Sequence, residues 1–149
     1  MEITRATSDD IPQLCELLNL LFSQELEFQP DRKLQGAGLQ QIIDFPERGQ
    51  ILVLRDGASI IGMVNLLFTV STALGGRVAI LEDMVVRPQY RGRGAGHMLL
   101  EAAIGLVKSS GCRRITLLTD ATNESAQRFY RRHGFSISEM VPMRLVVYP

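Results

Sequence analysis

The tightest constraint on this chain is the run from Leu81 to Leu100, Leu-Glu-Asp-Met-Val-Val-Arg-Pro-Gln-Tyr-Arg-Gly-Arg-Gly-Ala-Gly-His-Met-Leu-Leu. An apolar strand enters a turn marked by Pro88, alternating glycines follow, and a helix begins. Glycine carries no Cβ, so the backbone there can come close to a ligand. A helix start leaves amide N–H groups without intrahelical partners, and these amides together with the helix dipole attract an anion, typically phosphate. The run therefore reads as a strand that delivers a phosphate-bearing ligand to a helix N-terminus. It is not a Walker loop, because no Gly-x-x-x-x-Gly-Lys precedes a Ser or Thr. It is not a dinucleotide fingerprint either, because Gly92, Gly94 and Gly96 lack the Gly-x-Gly-x-x-Gly spacing.

The 149 residues suit one domain, read here as 1–149, and are enough to bury a core without staples. Lys plus Arg equals Asp plus Glu at 16 each, so no global field draws nucleic acid or an anionic membrane. Arg87, Tyr90, Arg91 and Arg93 form a local basic patch with an aromatic, but no nucleic-acid-binding module accompanies it. Cys15 and Cys112 sit among apolar neighbours and read as small buried hydrophobes in a reducing compartment. Met1-Glu2-Ile3-Thr4-Arg5 has no signal-peptide core, and no apolar run reaches the ~20 residues that span a bilayer. The expectation is a cytoplasmic domain with neither membrane nor nucleic acid as partner.

Along the chain, Ile3 to Ala6 predicts a first strand. Thr7-Ser8-Asp9-Asp10 predicts a helix start, followed by Ile11, Leu14, Cys15, Leu18 and Leu21 at helical spacing. The acidic, proline-broken segment from Ser23 to Asp31 reads as a connector. Leu34 to Phe45 predicts a second helix. Ile51 to Leu54, Ala58 to Val70 and Arg77 to Val86 predict strands, joined by turns at Asp56-Gly57 and Gly75-Gly76. This meander predicts an antiparallel sheet covered on both faces by helices. Ala95, Met98, Leu99, Ala102, Ala103, Leu106 and Val107 predict a core-facing helix that stops before Gly111. Ile115 to Thr119 returns as a parallel strand. Phe135 to Ile137 and Met143 to Tyr148 predict two closing strands.

A second motif lies between these last strands: Asn123-x-x-Ala126-x-x-Phe129-Tyr130-x-x-x-Gly134-Phe135. Asn123, Ala126, Tyr130 and His133 share one helix face, and Gly134 is placed to end that helix in a left-handed conformation. With Arg91-x-x-Gly94-x-Gly96 and the strand exit Val85-Val86-Arg87-Pro88, the chain resembles the GNAT-type N-acetyltransferases, most strongly over 78–136. That resemblance implies an α/β (α+β) fold. It would have a mixed, mostly antiparallel sheet of about seven strands with a parallel splayed pair, flanked by about four helices. It implies acetyl-CoA as cosubstrate and no metal. The backbone of Met84, Val85 and Val86 would pair with the pantetheine arm. Amides of Arg91, Gly92, Arg93, Gly94, Ala95 and Gly96 would hold the pyrophosphate, and Asn123 and Tyr130 would contact the cosubstrate from the following helix.

An alkyl amine has a pKa near ~10.4, so it arrives protonated and must lose a proton before it attacks. By resemblance, Tyr130 is the acid that reprotonates the departing thiolate. Glu82 and Asp83 are the candidate bases, since two carboxylates in an apolar strand are costly to bury without a role. Strand alternation predicts that they point to opposite faces, so only one faces the acceptor. By resemblance to relatives with a similar Leu-Glu-Asp strand, Glu82 is the base, acting directly or through water, and Asp83 needs a structural partner. His97 and His133 read as surface residues. No metal-ligand spacing and no Ser or Cys nucleophile set is present, which favours direct transfer. By resemblance the segment after the first helix lines the acceptor groove, so Glu25, Glu27 and Phe28 are candidate contacts for a cationic amine. The alternative to catalysis is a non-catalytic acyl-CoA-binding sensor. Relatives of this kind are often homodimers, here through Met63 to Val70 or through the closing strands.

Overall fold

A computed structural model describes residues 1–24 and 29–148. The chain divides into two compact units, Met1–Leu118 and a carboxy-terminal unit that begins at Thr119. The predicted contacts Glu25, Glu27 and Phe28 lie outside the described residues.

The first unit is a five-stranded sheet in the order β1-β2-β3-β4-β5. Strands β1 (Glu2–Arg5), β2 (Gly49–Asp56), β3 (Ser59–Ser71) and β4 (Gly76–Val86) run antiparallel, each beside the next in sequence. Strand β5 (Ile115–Leu117) returns parallel to β4 after helix α3 (Ala95–Ser109). The turn glycines do what the sequence asks: Gly57 and Gly75 take φ of 61° and 68°, conformations that cost a side chain energy.

Helices α1 (Ile11–Phe22) and α2 (Arg32–Asp44) cover one face. Leu14, Leu17, Leu18 and Leu39 interdigitate there with Ile51, Val53, Ile60, Met63 and Val85. The alternate strand residues Leu52, Leu54 and Val64 face α3, whose Leu99, Leu100 and Ala103 are fully buried. Burial of each such leucine contributes about 1.5–3 kcal/mol. The start of α1 is fixed by Asp10, whose carboxylate accepts from the Thr7 N–H at 2.8 Å and from the Arg55 guanidinium at 2.9 Å and 2.5 Å. Asp31 caps α2 by accepting from the Leu34 N–H at 3.1 Å.

Two features depart from the sequence expectation. The first is the strand count, five among the described residues against about seven. Phe135 to Ile137 and Met143 to Tyr148 form no strand. Their apolar pattern supplies β-propensity but no ladder, and Ile137, Met143 and Val147 are 64%, 94% and 86% exposed. The second is a bulge. Met63 pairs with Val85 and Asn65 with Glu82, so Val64 alone opposes Asp83 and Met84. Asp83 takes φ of 55°, the one non-glycine described residue with positive φ.

The carboxy-terminal unit contains helix α4 (Glu124–Arg132). Asn123 caps it, accepting from the Ala126 N–H at 3.1 Å, and Gly134 follows it at φ 95°, as the motif predicts. No helix among the described residues is long and apolar enough to cross a membrane.

Candidate active site

The ladder between β4 and β5 is short. It pairs Ala79 with Ile115, Ile80 with Thr116 and Leu81 with Leu117, and stops there. Beyond Leu81 the β5-facing side of β4 has no strand partner among the described residues. Met84, Val85 and Val86 thus leave a sheet edge inside the fold, the kind of edge to which an extended chain of amides can add. The bulge falls at the same point. The loss of pairing and the kink therefore mark one place on β4.

The glycine run begins as that strand ends. Pro88–Tyr90 makes a single 3₁₀ turn, and Gly92 and Gly94 take φ of 75° and 81°. A Cβ at either position would meet nothing within 4 Å. These glycines are therefore required by backbone conformation, not by crowding within the protein. Gly94 caps α3, whose first-turn amides have no intrahelical acceptor. Arg91 Nε donates to the Val86 carbonyl at 3.1 Å and ties the loop to the strand. The Arg93 guanidinium lies 6.0 Å from the Tyr90 ring centroid. Arg87 donates to Glu16 and to the Ile60 carbonyl, each at 2.8 Å, so its charge is already matched within the protein.

A pocket of about 340 Å³ opens where α1, α2 and the sheet meet. Leu18, Phe22, Leu34, Leu39 and Ile42 form its apolar wall. Gln29, Gln35, Asn65, Asp31, Glu82 and Asp83 supply its polar lining. Both adjacent carboxylates thus reach one pocket, which corrects the expectation of opposite faces. The bulge at Asp83 breaks the two-residue alternation on which that expectation rests. Asp83 finds its structural partner in the Asn65 amide, which donates to it. Burial raises the Asp83 carboxyl to about 6, Glu82 beside it adds to the rise, and the Asn65 hydrogen bond opposes it.

Sequence reasoning missed Gln35 and Asn65. Asn65 stands in the middle of the apolar run Ile60 to Phe68, and a lone amide in a buried strand is itself a sign of a polar task. Gln35 offered no such sign, since α2 is polar on much of its length.

In the carboxy-terminal unit, Tyr130 is flanked edge-on by Phe129 at 5.3 Å and Phe135 at 5.7 Å. Burial pushes its phenol up to about 12, so it holds its proton at neutral pH. The His133 ring nitrogen Nδ1 lies 2.9 Å from the Phe129 carbonyl.

A strand that loses its partner near a bulge, followed by a left-handed glycine loop that opens a helix, sets an open strand edge beside a helix N-terminus suited to an anionic group. Comparison with known proteins agrees. The model of the acetyltransferase (GNAT) family matches residues 11–135. An uncharacterized N-acetyltransferase of Bacillus subtilis, YhfO, is 32% identical over 138 residues, covering 91% of this chain and 89% of the relative. The aminoalkylphosphonate N-acetyltransferase of Salmonella typhimurium is 28% identical over 137 residues, covering 92% and 86%. A predicted acetyltransferase from Clostridium acetobutylicum, solved with acetyl-CoA, superposes with a TM-score of 0.80 at 18% identity, covering 96% of this chain and 95% of that one. The chain belongs to the acetyltransferase (GNAT) family. It is an acetyl-CoA-dependent N-acetyltransferase, with acetyl-CoA as cosubstrate.

Proposed function

We propose that this enzyme moves the acetyl group directly from acetyl-CoA to a primary amine, either a small cationic amine or an amine on a protein. The observation that carries this reading is the coincidence of the β4–β5 split, the bulge and the carboxylate-lined pocket on one strand. In this reading the edge of Met84, Val85 and Val86 holds the pantetheine arm. The amides from Arg91 to Gly96 hold the pyrophosphate. Asn123 accepts from the Ala126 N–H through its side-chain oxygen, which leaves its NH₂ group and the second lone pair of that oxygen for contact with the arm.

Glu82 accepts the proton of the ammonium, directly or through water. The free amine then forms the N–C bond to the acetyl carbon, and a backbone N–H on β4 stabilises the oxyanion. Collapse breaks the C–S bond, Tyr130 gives its proton to the leaving sulfur, and the new amide nitrogen sheds its second proton to water, from which the Tyr130 phenolate is reprotonated. A phenol raised by burial is a weak acid, so this transfer accompanies C–S cleavage and does not precede it. An acyl-cysteine is disfavoured, because burial raises the thiols of both Cys15 and Cys112. The family match runs across both compact units, which supports reading 1–149 as one acetyltransferase domain.

Glu25, Glu27 and Phe28 remain proposed acceptor contacts. Replacing both glutamates by Gln should raise the acceptor's KM, and unchanged kinetics would remove them from the site. A cytoplasmic location fits the composition. A homodimer would pair through Met63 to Val70 or through Phe135 to Ile137 and Met143 to Tyr148, and a monomeric mass by light scattering would reject it.

The test is calorimetric titration with acetyl-CoA followed by a thiol-release screen over amines. Binding with release supports transfer. Binding without release on small and peptide amines would instead support the acyl-CoA sensor.

A further inference from the structure

The polar side of the pocket of about 340 Å³ near the bulge is lined by three amides, Gln29, Gln35 and Asn65, and by carboxylates. Gln35 is 8% exposed and Asn65 2% exposed. Gln35 Nε2 donates to Asn19 Oδ1 at 3.3 Å, and Asn65 Nδ2 donates to Asp83. Each amide therefore commits one of its two N–H donors inside the protein, and the acceptor oxygens Gln35 Oε1 and Asn65 Oδ1 have no partner. A buried acceptor left unpaired costs its full desolvation, so two of them on residues that line one pocket call for donors brought by a ligand. Three carboxylates share the lining, Asp31, Glu82 and Asp83, and no Lys, Arg or His does among the described residues. The opposite wall is aliphatic and aromatic.

Only a particular chemistry fits such a lining. An ammonium carries three donors, no acceptor and a positive charge. A phosphate, phosphonate or carboxylate brings acceptors to acceptors and negative charge to three carboxylates. The volume lies near the lower end of the ~300–1,000 Å³ usual for ligand sites. We propose that this pocket is the acceptor site, and that Gln35, Asn65 and Asp83 select a small cationic alkyl amine bearing no anionic group. The inference rests on the acetyl-transfer reading for its chemistry but not for its binding preference. It sets this chain apart from its relative that acts on aminoalkylphosphonates, despite their similarity along most of their length.

The experiment compares 1,4-diaminobutane with 3-aminopropylphosphonate, which share a primary amine and a short alkyl chain. Calorimetry in the presence of coenzyme A reads binding, and thiol release from acetyl-CoA reads transfer. We expect diaminobutane to bind at least tenfold more tightly and to give a kcat/KM at least ~100-fold higher. Gln35→Met and Asn65→Leu should each weaken diaminobutane binding about tenfold or more, the value of one hydrogen bond to a charged group. Acetyl-CoA affinity, measured on the same samples, should stay unchanged and certify the fold. The two sites are independent variants, so failure of one to fold leaves the other. Equal or tighter phosphonate binding, or unmoved diaminobutane binding in a folded variant, overturns the proposal. Selective diaminobutane binding without thiol release supports the pocket assignment and overturns the transfer reading instead.

Discussion

Asp83→Asn should make the unliganded protein more stable at neutral pH, although it deletes a charge from a site built of hydrogen bonds. The Asp83 carboxyl rises from its ordinary 3.8 to about 6, chiefly because the fold removes it from water. That rise corresponds to about 3 kcal/mol between the charged and neutral forms. Asp83 is half-buried, so solvent screening brings the expected effect to about 1–2 kcal/mol. The sign follows from proton counting. Between the unfolded and folded values the native state binds more protons than the unfolded chain, so its stability falls as pH rises through that interval. Above about 6 the penalty is fully present, and below about 4 it is absent. Asparagine removes the titration and tolerates the positive φ at this position. Its side-chain oxygen can still accept from Asn65. Urea unfolding of both proteins should therefore show the variant ahead by about 1–2 kcal/mol at pH 7.5, with the gap closing by pH 4. For a chain of this size that is a rise in Tm of roughly 2–8 °C. A variant less stable than the parent at pH 7.5, or a gap that does not change between pH 4 and 7.5, would refute the account of Asp83. The same substitution should weaken acceptor binding, so stability and function move in opposite directions.

Other perturbations test other parts of the structure. Tyr130→Phe should lower kcat by roughly 10²-fold, in line with general acid catalysis, and leave the acetyl-CoA Kd within twofold; an unchanged kcat removes Tyr130 from the reaction. Gly94→Val places a β-branched residue at φ 81°, which should cost at least about 1–2 kcal/mol and weaken acetyl-CoA binding in calorimetry; wild-type affinity would mean the loop does not hold the cosubstrate. Asp10→Asn breaks the Arg55 pair that, chiefly, holds the Asp10 carboxyl below its ordinary value. That contribution is present above the unfolded pKa and fades as pH falls through the folded one. The variant should thus be destabilised at pH 7 and converge on the parent at strongly acid pH in urea titrations. Gly62→Ala would set a methyl group 2.7 Å from Leu99 Cδ1 and 3.1 Å from the Val85 carbonyl oxygen. Leu99 is fully buried and has little room to move, so a loss of about 1–3 kcal/mol should appear in chemical unfolding.

How far the sequence could be read depended on the kind of regularity each element used. Helix α3 and the glycine loop are local patterns: spacing fixes the face, and a left-handed turn asks for glycine. Both could be read from the residues alone. The turn before α1 and the cap of α4 were equally local, since Asp10 satisfies the Thr7 amide and Asn123 the Ala126 amide, each three residues away. The pairing of carboxylates at the site was not local. Whether Glu82 and Asp83 share a face depends on whether β4 is regular, and that is decided by its register against β3, where Val64 opposes two residues. An alternation rule applied along one strand cannot see a mismatch between two. The closing strands were misread for a related reason: Met143 to Tyr148 has the composition of a strand, but strand formation needs a second edge that composition does not specify. The bulge is also what gives the site its chemistry. It brings Asp83 out of register and into a pocket beside Glu82, raises its carboxyl by burial next to a second acid, and does so where β4 parts from β5. A regular strand would have sent one carboxylate to each face and left Asn65 without its partner. The irregularity that defeated the sequence rule is therefore the same feature that makes one pocket out of Asn65, Glu82 and Asp83.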